Sequence, residues 1–211
     1  MSSLRSKYQR RFDAVLTPAA RKLEALLTDY ISGSDPLPHI DRIGSRPKSV
    51  ARFLEKAGKK GKKAGSLKYD DPLGQIQDQI GARVIVFYRD DIPRVRERIE
   101  RYFQPAELKS KEPQKSAEFG YFGFHYILML PDDVVPANAQ PKDTPAFFEL
   151  QIRTLFQHAW SEGGHDMAYK APRKLTKEEK RLLAYSSASA WGADKAMQDL
   201  FDAIVAGKKP S

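Results

Sequence analysis

Apolar residues recur at helical spacing from the first residues onward: Leu4, Tyr8, Phe12, Leu16, Leu23, Leu27 and Tyr30. A three-to-four-residue repeat puts them on one face, so the pattern predicts amphipathic helix ending near Gly33. Thr17-Pro18 predicts a division of that helix in two, because threonine caps helices and proline opens them. Pro36 and Pro38 mark a loop. Ser49 to Ala57 reads as a short helix with Val50, Phe53 and Leu54 inward and Gly58 as its stop. The lysine- and glycine-rich stretch 58–68 has little to bury and reads as a mobile basic loop. Asp71 to Gln79 reads as another short helix.

The period then changes. Ala82-Arg83-Val84-Ile85-Val86-Phe87-Tyr88 is a run of strand type, and Ile92, Val95 and Ile99 mark a helix. Tyr121–Leu130 and Phe147–Ile152 are two further strands. Capping-box spacing at Thr154 and Gln157 opens a helix over 154–169. A second box, Thr176 and Glu179, opens a last helix towards Ala206, with a break expected near Gly192. This order predicts an α+β fold with a mixed β-sheet, flanked by N- and C-terminal helices. The expected divisions are a helical segment over 1–34, a sheet domain over 35–172 and a helical extension over 173–211.

Composition narrows the classes. With 41% hydrophobic residues in 211, a full core can form. The absence of cysteine excludes disulfides and cysteine-ligated zinc. No apolar run approaches the ~18 residues a membrane span needs. Met1 to Arg11 carries four basic side chains and no following apolar block, so no secretory signal is expected. Together these features predict a cytoplasmic protein. The net charge of +9 suits polyanions, whether nucleotides, nucleic acids or ribosomes, without choosing among them.

Candidate chemistry lies on the strands. In Phe148-Glu149-Leu150-Gln151-Ile152-Arg153 alternation puts Glu149, Gln151 and Arg153 on one face. They form either a solvated polar face or a carboxylate, amide and guanidinium aimed into one cleft, able to hold a metal and phosphate charge. Tyr121, Gly123 and His125 likewise share a face. There the choice is between plain aromatic packing and a base-stacking tyrosine beside a histidine that hydrogen-bonds phosphate or sugar. Asp78, before the first of these strands, is either a turn residue or a magnesium ligand with Glu149. Arg46-Pro47-Lys48 precedes a helix N-terminus, where two cations can cradle a polyphosphate. His158, Glu162, His165 and Tyr169 line one helix face, which suits a zinc site or, more simply, the back of a cleft.

In this order the segments resemble the synthetase domain of RelA/SpoT homologues, nearest in size to the small alarmone synthetases. The resemblance covers roughly residues 40–170. Its most specific part is Glu149-Leu150-Gln151-Ile152-Arg153-Thr154 followed by His158-Ala159-Trp160, His165 and Tyr169-Lys170. Arg46-Pro47-Lys48, the run Asp78 to Arg83, and Gly120-Tyr121 with His125 are similar to three further family elements. The resemblance implies transfer of the β,γ-diphosphate of ATP to the 3′-hydroxyl of GTP or GDP, with release of AMP. It implies Asp78 and Glu149 as catalytic residues holding Mg2+, with Glu149 also orienting or deprotonating the attacking hydroxyl. Arg46, Lys48 and Arg83 would bind the donor ATP, and Tyr121, His125, Gln151 and Arg153 the acceptor. The loop around Lys59 to Lys63 either closes over ATP or is a solvated surface.

Three positions depart from the family. Gly123 replaces a serine, Arg52 stands where a serine is usual, and Gly163-Gly164 replaces a hydrophobic-Glu pair. Each of the paired glycines costs the helix ~1 kcal/mol relative to alanine. Acceptor choice is thereby left open. A toxic synthetase acting on adenine nucleotides or on the 3′ end of tRNA is the alternative within this chemistry, and a non-catalytic nucleotide- or RNA-binding module the alternative outside it. The chain leaves no room for the hydrolase domain of long family members, so synthesis without degradation is expected. The terminal helices could support a homo-oligomer.

Overall fold

One mixed β-sheet organises the chain, and side-chain alternation gives its two faces different tasks. The computed structural model describes residues 3–33, 37–63, 65–110, 123–169, 173–205 and 207. Strands β1 (Ile40–Pro47), β2 (Ile80–Val86), β3 (Pro105–Ser110), β4 (Phe124–Met129) and β5 (Phe147–Thr154) lie in the order β1-β2-β5-β4-β3. Only β2 and β5 run parallel; the other pairs are antiparallel.

One face builds the core. Ala82, Val84 and Val86 of β2, Tyr126 and Leu128 of β4, and Phe148, Leu150 and Ile152 of β5 all join a single buried cluster. Helix α2 (Thr17–Ser32) contributes Leu23, Leu27 and Ile31 to it, and α5 (Asp91–Tyr102) contributes Ile92, Val95 and Ile99. Each of these branched or aromatic side chains gains roughly 1.5–3 kcal/mol on leaving water. The other face carries the polar residues, with Ile85 and Ile127 buried among them. Helix α6 (Leu155–Tyr169) folds back from β5 over one end of it, and α7 (Lys177–Ile204) packs on α6.

The helix-starting signals hold. Thr154 and Gln157 form a reciprocal cap, the Gln157 N–H donating to Thr154 Oγ1 at 3.1 Å and the Thr154 N–H to Gln157 Oε1 at 2.9 Å. Thr176 and Glu179 form a capping box at the start of α7. Ser49 caps α3 (Val50–Ala57), its hydroxyl accepting from the Arg52 N–H.

Several expectations are corrected. The N-terminal helix is not divided at Thr17-Pro18: α1 (Leu4–Arg11) passes through a π-helical turn over Phe12–Leu16 into α2. The Thr17 N–H and hydroxyl both donate to the Phe12 carbonyl, so the ladder has already shifted where Pro18 lacks a donor, and the helix continues. The helix expected over 71–79 shrinks to α4 (Pro72–Gln75), because Ile76 turns extended. The strand expected over 82–88 runs over Ile80–Val86. Helix α7 passes through Gly192 unbroken. Strands β1 and β3 were not foreseen: Ile40–Pro47 has no clean alternation and Pro105–Ser110 is a polar edge strand. Within the basic stretch the Gly61 N–H donates to Ser66 O at 2.8 Å, and Gly65 takes φ 79°. Among the described residues no helix is long and apolar enough to cross a membrane.

Candidate active site

Register decides which polar side chains meet. Gly44 pairs with Arg83 and Arg46 with Gly81 across β1 and β2; Gly81 pairs with Glu149 and Arg83 with Gln151 across β2 and β5. His125 of β4 pairs with Gln151. Directly opposed residues point to the same face of a sheet. Arg42, Arg46, Arg83, Glu149, Gln151, Arg153 and His125 therefore share the face that the core does not use. Asp78 stands in the turn just before β2, at the end where Arg46, Gly81 and Glu149 lie.

At that end two lysines converge on Asp78. Its Oδ2 lies 3.1 Å from Lys48 Nζ and 2.8 Å from Lys56 Nζ, while its Oδ1 is buried without a hydrogen-bond partner. A buried carboxylate oxygen left bare costs on the order of 1–3 kcal/mol, so a ligand for it stabilises the site. Lys48 also acts on Glu149. Burial raises the Glu149 pKa, but the His125 hydrogen bond and charge, then the Gln151 hydrogen bond and last the Lys48 charge, outweigh it and hold the carboxyl at about 2. Two carboxylates with substrate phosphate oxygens and water make a donor set that Mg2+ accepts. The residues present fit that ion.

Both Glu149 oxygens are held from the side. His125 Nδ1 lies 3.3 Å from Oε1, and Gln151 Nε2 donates to Oε2 at 3.0 Å. On the far side of the imidazole, Arg153 Nη2 lies 3.1 Å from His125 Nε2. Arg153 is thus among the buried residues, at 7% exposure, and its guanidinium is engaged with the histidine.

The basic side of the cleft is crowded. Arg83 is pressed down in pKa by burial first and then by the charges of Arg46 and Arg42. Glu162 of α6 counters this cluster, at 3.7 Å from Arg83 and 4.0 Å from His158 Nδ1. Burial and the Arg83 charge also lower the His158 pKa. Concentrated positive charge under partial burial is what a polyphosphate binds. As for zinc on α6, the side chains of His165 and Tyr169 lie outside those described, and no group of three or more His, Asp or Glu able to hold an ion occurs among the described residues.

The structure brings together Arg46, Lys48, Asp78, Arg83, His125, Glu149, Gln151 and Arg153. Tyr121 lies outside the described residues. Glu162 joins the cleft's charge network from the helix expected to back it, whereas Lys56 and Arg42 carried no sequence signal for that network. Lys56 and Asp78 are 22 positions apart, and no local spacing links a helix to a later turn. The departure at Gly123 has a physical meaning: a Cβ there would meet both Arg153 Cγ and the Ile152 carbonyl at 2.4 Å.

Comparison with known proteins finds one family, one relative and two similar solved structures. A family model described as "Region found in RelA / SpoT proteins" matches residues 45–174, more than half of the chain. The GTP pyrophosphokinase YjbM of Bacillus subtilis (strain 168) is 28% identical over 184 residues, covering 85% of this chain and 80% of that protein. The fold matches the pppGpp-bound small alarmone synthetase 1 of B. subtilis with a TM-score of 0.71 at 23% identity, covering 94% of this chain and 99% of the other. A GTP pyrophosphokinase family protein from Streptococcus pneumoniae matches with a TM-score of 0.73 at 20% identity, covering 98% and 97%.

Proposed function

This chain belongs to the RelA/SpoT family, and from that premise we propose that it is a cytoplasmic pyrophosphokinase making the 3′-diphosphates of GTP and GDP. The observation that carries the reading is the convergence of Lys48 and Lys56 on Asp78, on the sheet face that also carries the Arg46–Arg83 cluster and Glu149. The relative named as a GTP pyrophosphokinase supports the acceptor class.

In the proposed reaction the acceptor 3′-oxygen attacks the β-phosphorus of ATP. The bond from that phosphorus to the α–β bridging oxygen breaks, and AMP leaves with the electron pair. Arg46, Lys48 and Arg83 bind the donor phosphates and offset the charge that builds on them. Tyr121 and Gln151 serve the acceptor, and His125 holds the Glu149 carboxylate beside it. Asp78 and Glu149 would hold Mg2+, which supplies Lewis-acid polarisation of the phosphoryl oxygens. Glu149, held ionised by its neighbours, orients that hydroxyl or accepts its proton.

The test incubates purified protein with Mg2+ and ATP labelled in its terminal phosphates, with GDP, GTP, ATP or tRNA in parallel. Label appearing on GDP or GTP with stoichiometric AMP is expected, and Glu149→Gln should lower the rate by at least ~100-fold. Transfer only to tRNA or adenine nucleotides overturns the acceptor assignment. No transfer to any of them overturns the reaction.

A further inference from the structure

His125 stands directly across from Gln151, with Glu149 and Arg153 two residues to either side of that partner. It therefore meets the carboxylate on one diagonal and the guanidinium on the other. Both contacts are within hydrogen-bonding reach, 3.3 Å to Glu149 and 3.1 Å to Arg153. The donor inventory fixes the order. A guanidinium has only donors, so His125 Nε2 must accept from Arg153. The remaining imidazole proton then sits on Nδ1, where it donates to Glu149 Oε1. With Gln151 donating to Oε2, the carboxylate plane is held from both sides. Burial of His125 and Arg153, at 8% and 7% exposure, keeps water from competing for these contacts.

Gly123 makes the chain of contacts possible. A side chain there would collide at 2.4 Å with Arg153 Cγ and with the Ile152 carbonyl, which is backbone and cannot swing away. Arg153 could then no longer lie across the edge of β4 to reach Nε2.

We propose that Arg153 and Gly123 are positioning residues that set the tautomer of His125 and, through it, the orientation of Glu149, and that Arg153 is not an acceptor contact. The catalytic consequence rests on the reading of Glu149 given above; the tautomer does not.

The experiment records side-chain 15N–1H correlation spectra of the metal-free protein at about pH 8, above the ordinary imidazole range. His125→Gln identifies the His125 signals. The expected wild-type pattern is a neutral imidazole protonated on Nδ1. Arg153→Met and Gly123→Ser should each move His125 towards the Nε2-protonated form, while Arg153→Lys, which keeps a donor, should retain more of the Nδ1 form. Thermal unfolding of each variant confirms a folded chain, and Arg153→Lys serves if Arg153→Met does not fold. In kinetics, Arg153→Met should lower kcat by ~10–100-fold with acceptor KM within about twofold, the size usual for a partner that orients a reacting group. An unchanged tautomer in Arg153→Met overturns the proposal, as does a raised acceptor KM with kcat retained. A tautomer that shifts as expected in a protein that transfers nothing would remove the proposed function and leave the Arg153–His125 assignment standing.

Discussion

Lys48 reaches Asp78 from the end of β1 to the turn before β2, Nζ to Oδ2 at 3.1 Å, on a backbone that is itself clamped. Its N–H donates to the Gln79 carbonyl at 2.8 Å, and its own carbonyl accepts from the Tyr8 hydroxyl at 2.8 Å. The cation is therefore aimed by its main chain as well as by its partner.

Lys48→Met should lower kcat/KM for ATP by ~10²–10³-fold, the loss typical of one preorganised charge at a developing phosphoryl charge. Lys56 remains beside Asp78, so the variant isolates the Lys48 cation rather than emptying the site of positive charge. Steady-state kinetics with varied ATP measure this, and a change below tenfold would remove Lys48 from the donor site.

Arg11 ties the N-terminal helix to the turn that carries Asp78. It donates to the Leu73 carbonyl at 2.7 Å, to Gln79 Oε1 at 3.0 Å and to the Lys142 carbonyl at 2.6 Å. Arg11→Met strands one buried and two part-buried acceptors and should cost about 2–3 kcal/mol in urea unfolding. A loss under 1 kcal/mol would show that water replaces the guanidinium.

Asp194 gives stability a pH dependence of definite sign. It is fully buried, accepts from Thr154 Oγ1 at 2.7 Å, and burial, against the pull of Arg89, pushes its pKa up to about 7. The folded state thus holds a proton that the unfolded chain releases near 4, so this group's contribution is full below about pH 4 and is lost as pH rises to about 7. Asp194→Asn should abolish that loss. At pH 8 the variant should be more stable than the parent by about 1–3 kcal/mol, and at pH 4 no more stable. Thermal or urea unfolding at both values decides it; equal stability at pH 8 would contradict a raised pKa.

Gly163 and Gly164 lie inside α6, which runs unbroken to Tyr169. A Cβ on Gly163 meets nothing within 4 Å, and on Gly164 it makes ordinary contact with Trp160 and Leu183 at 3.8–3.9 Å. The double change to alanine should raise stability by about 1–2 kcal/mol, since helix propensity improves with no clash. A destabilised double variant in the same unfolding measurement would mean that the glycines serve a close approach not visible in these contacts.

Much of the cleft was legible because strand alternation is a local rule. Glu149, Gln151 and Arg153 share a face by period alone, and the Thr154 and Thr176 caps announce α6 and α7 within a few residues. Strand β1 was not legible, because Ile40–Pro47 gains its place from pairing with β2 rather than from its own pattern. Nor was the continuity of α1 into α2, where a shifted hydrogen-bond ladder overrides the ordinary meaning of Thr-Pro.

The sequence by itself determined the α+β class, the identity of the polar residues on each strand and the chemistry they could perform, since these depend on residue type and on spacings of two or four. Only the tertiary structure decided which of them meet. Parallel pairing of β2 with β5 sets Gly81 beside Glu149, and antiparallel pairing of β4 sets His125 between Glu149 and Arg153. Those neighbours are 24 to 68 positions apart in the chain. Their meeting depends on strand order and register, which are fixed by burial of the opposite face against α2 and α5.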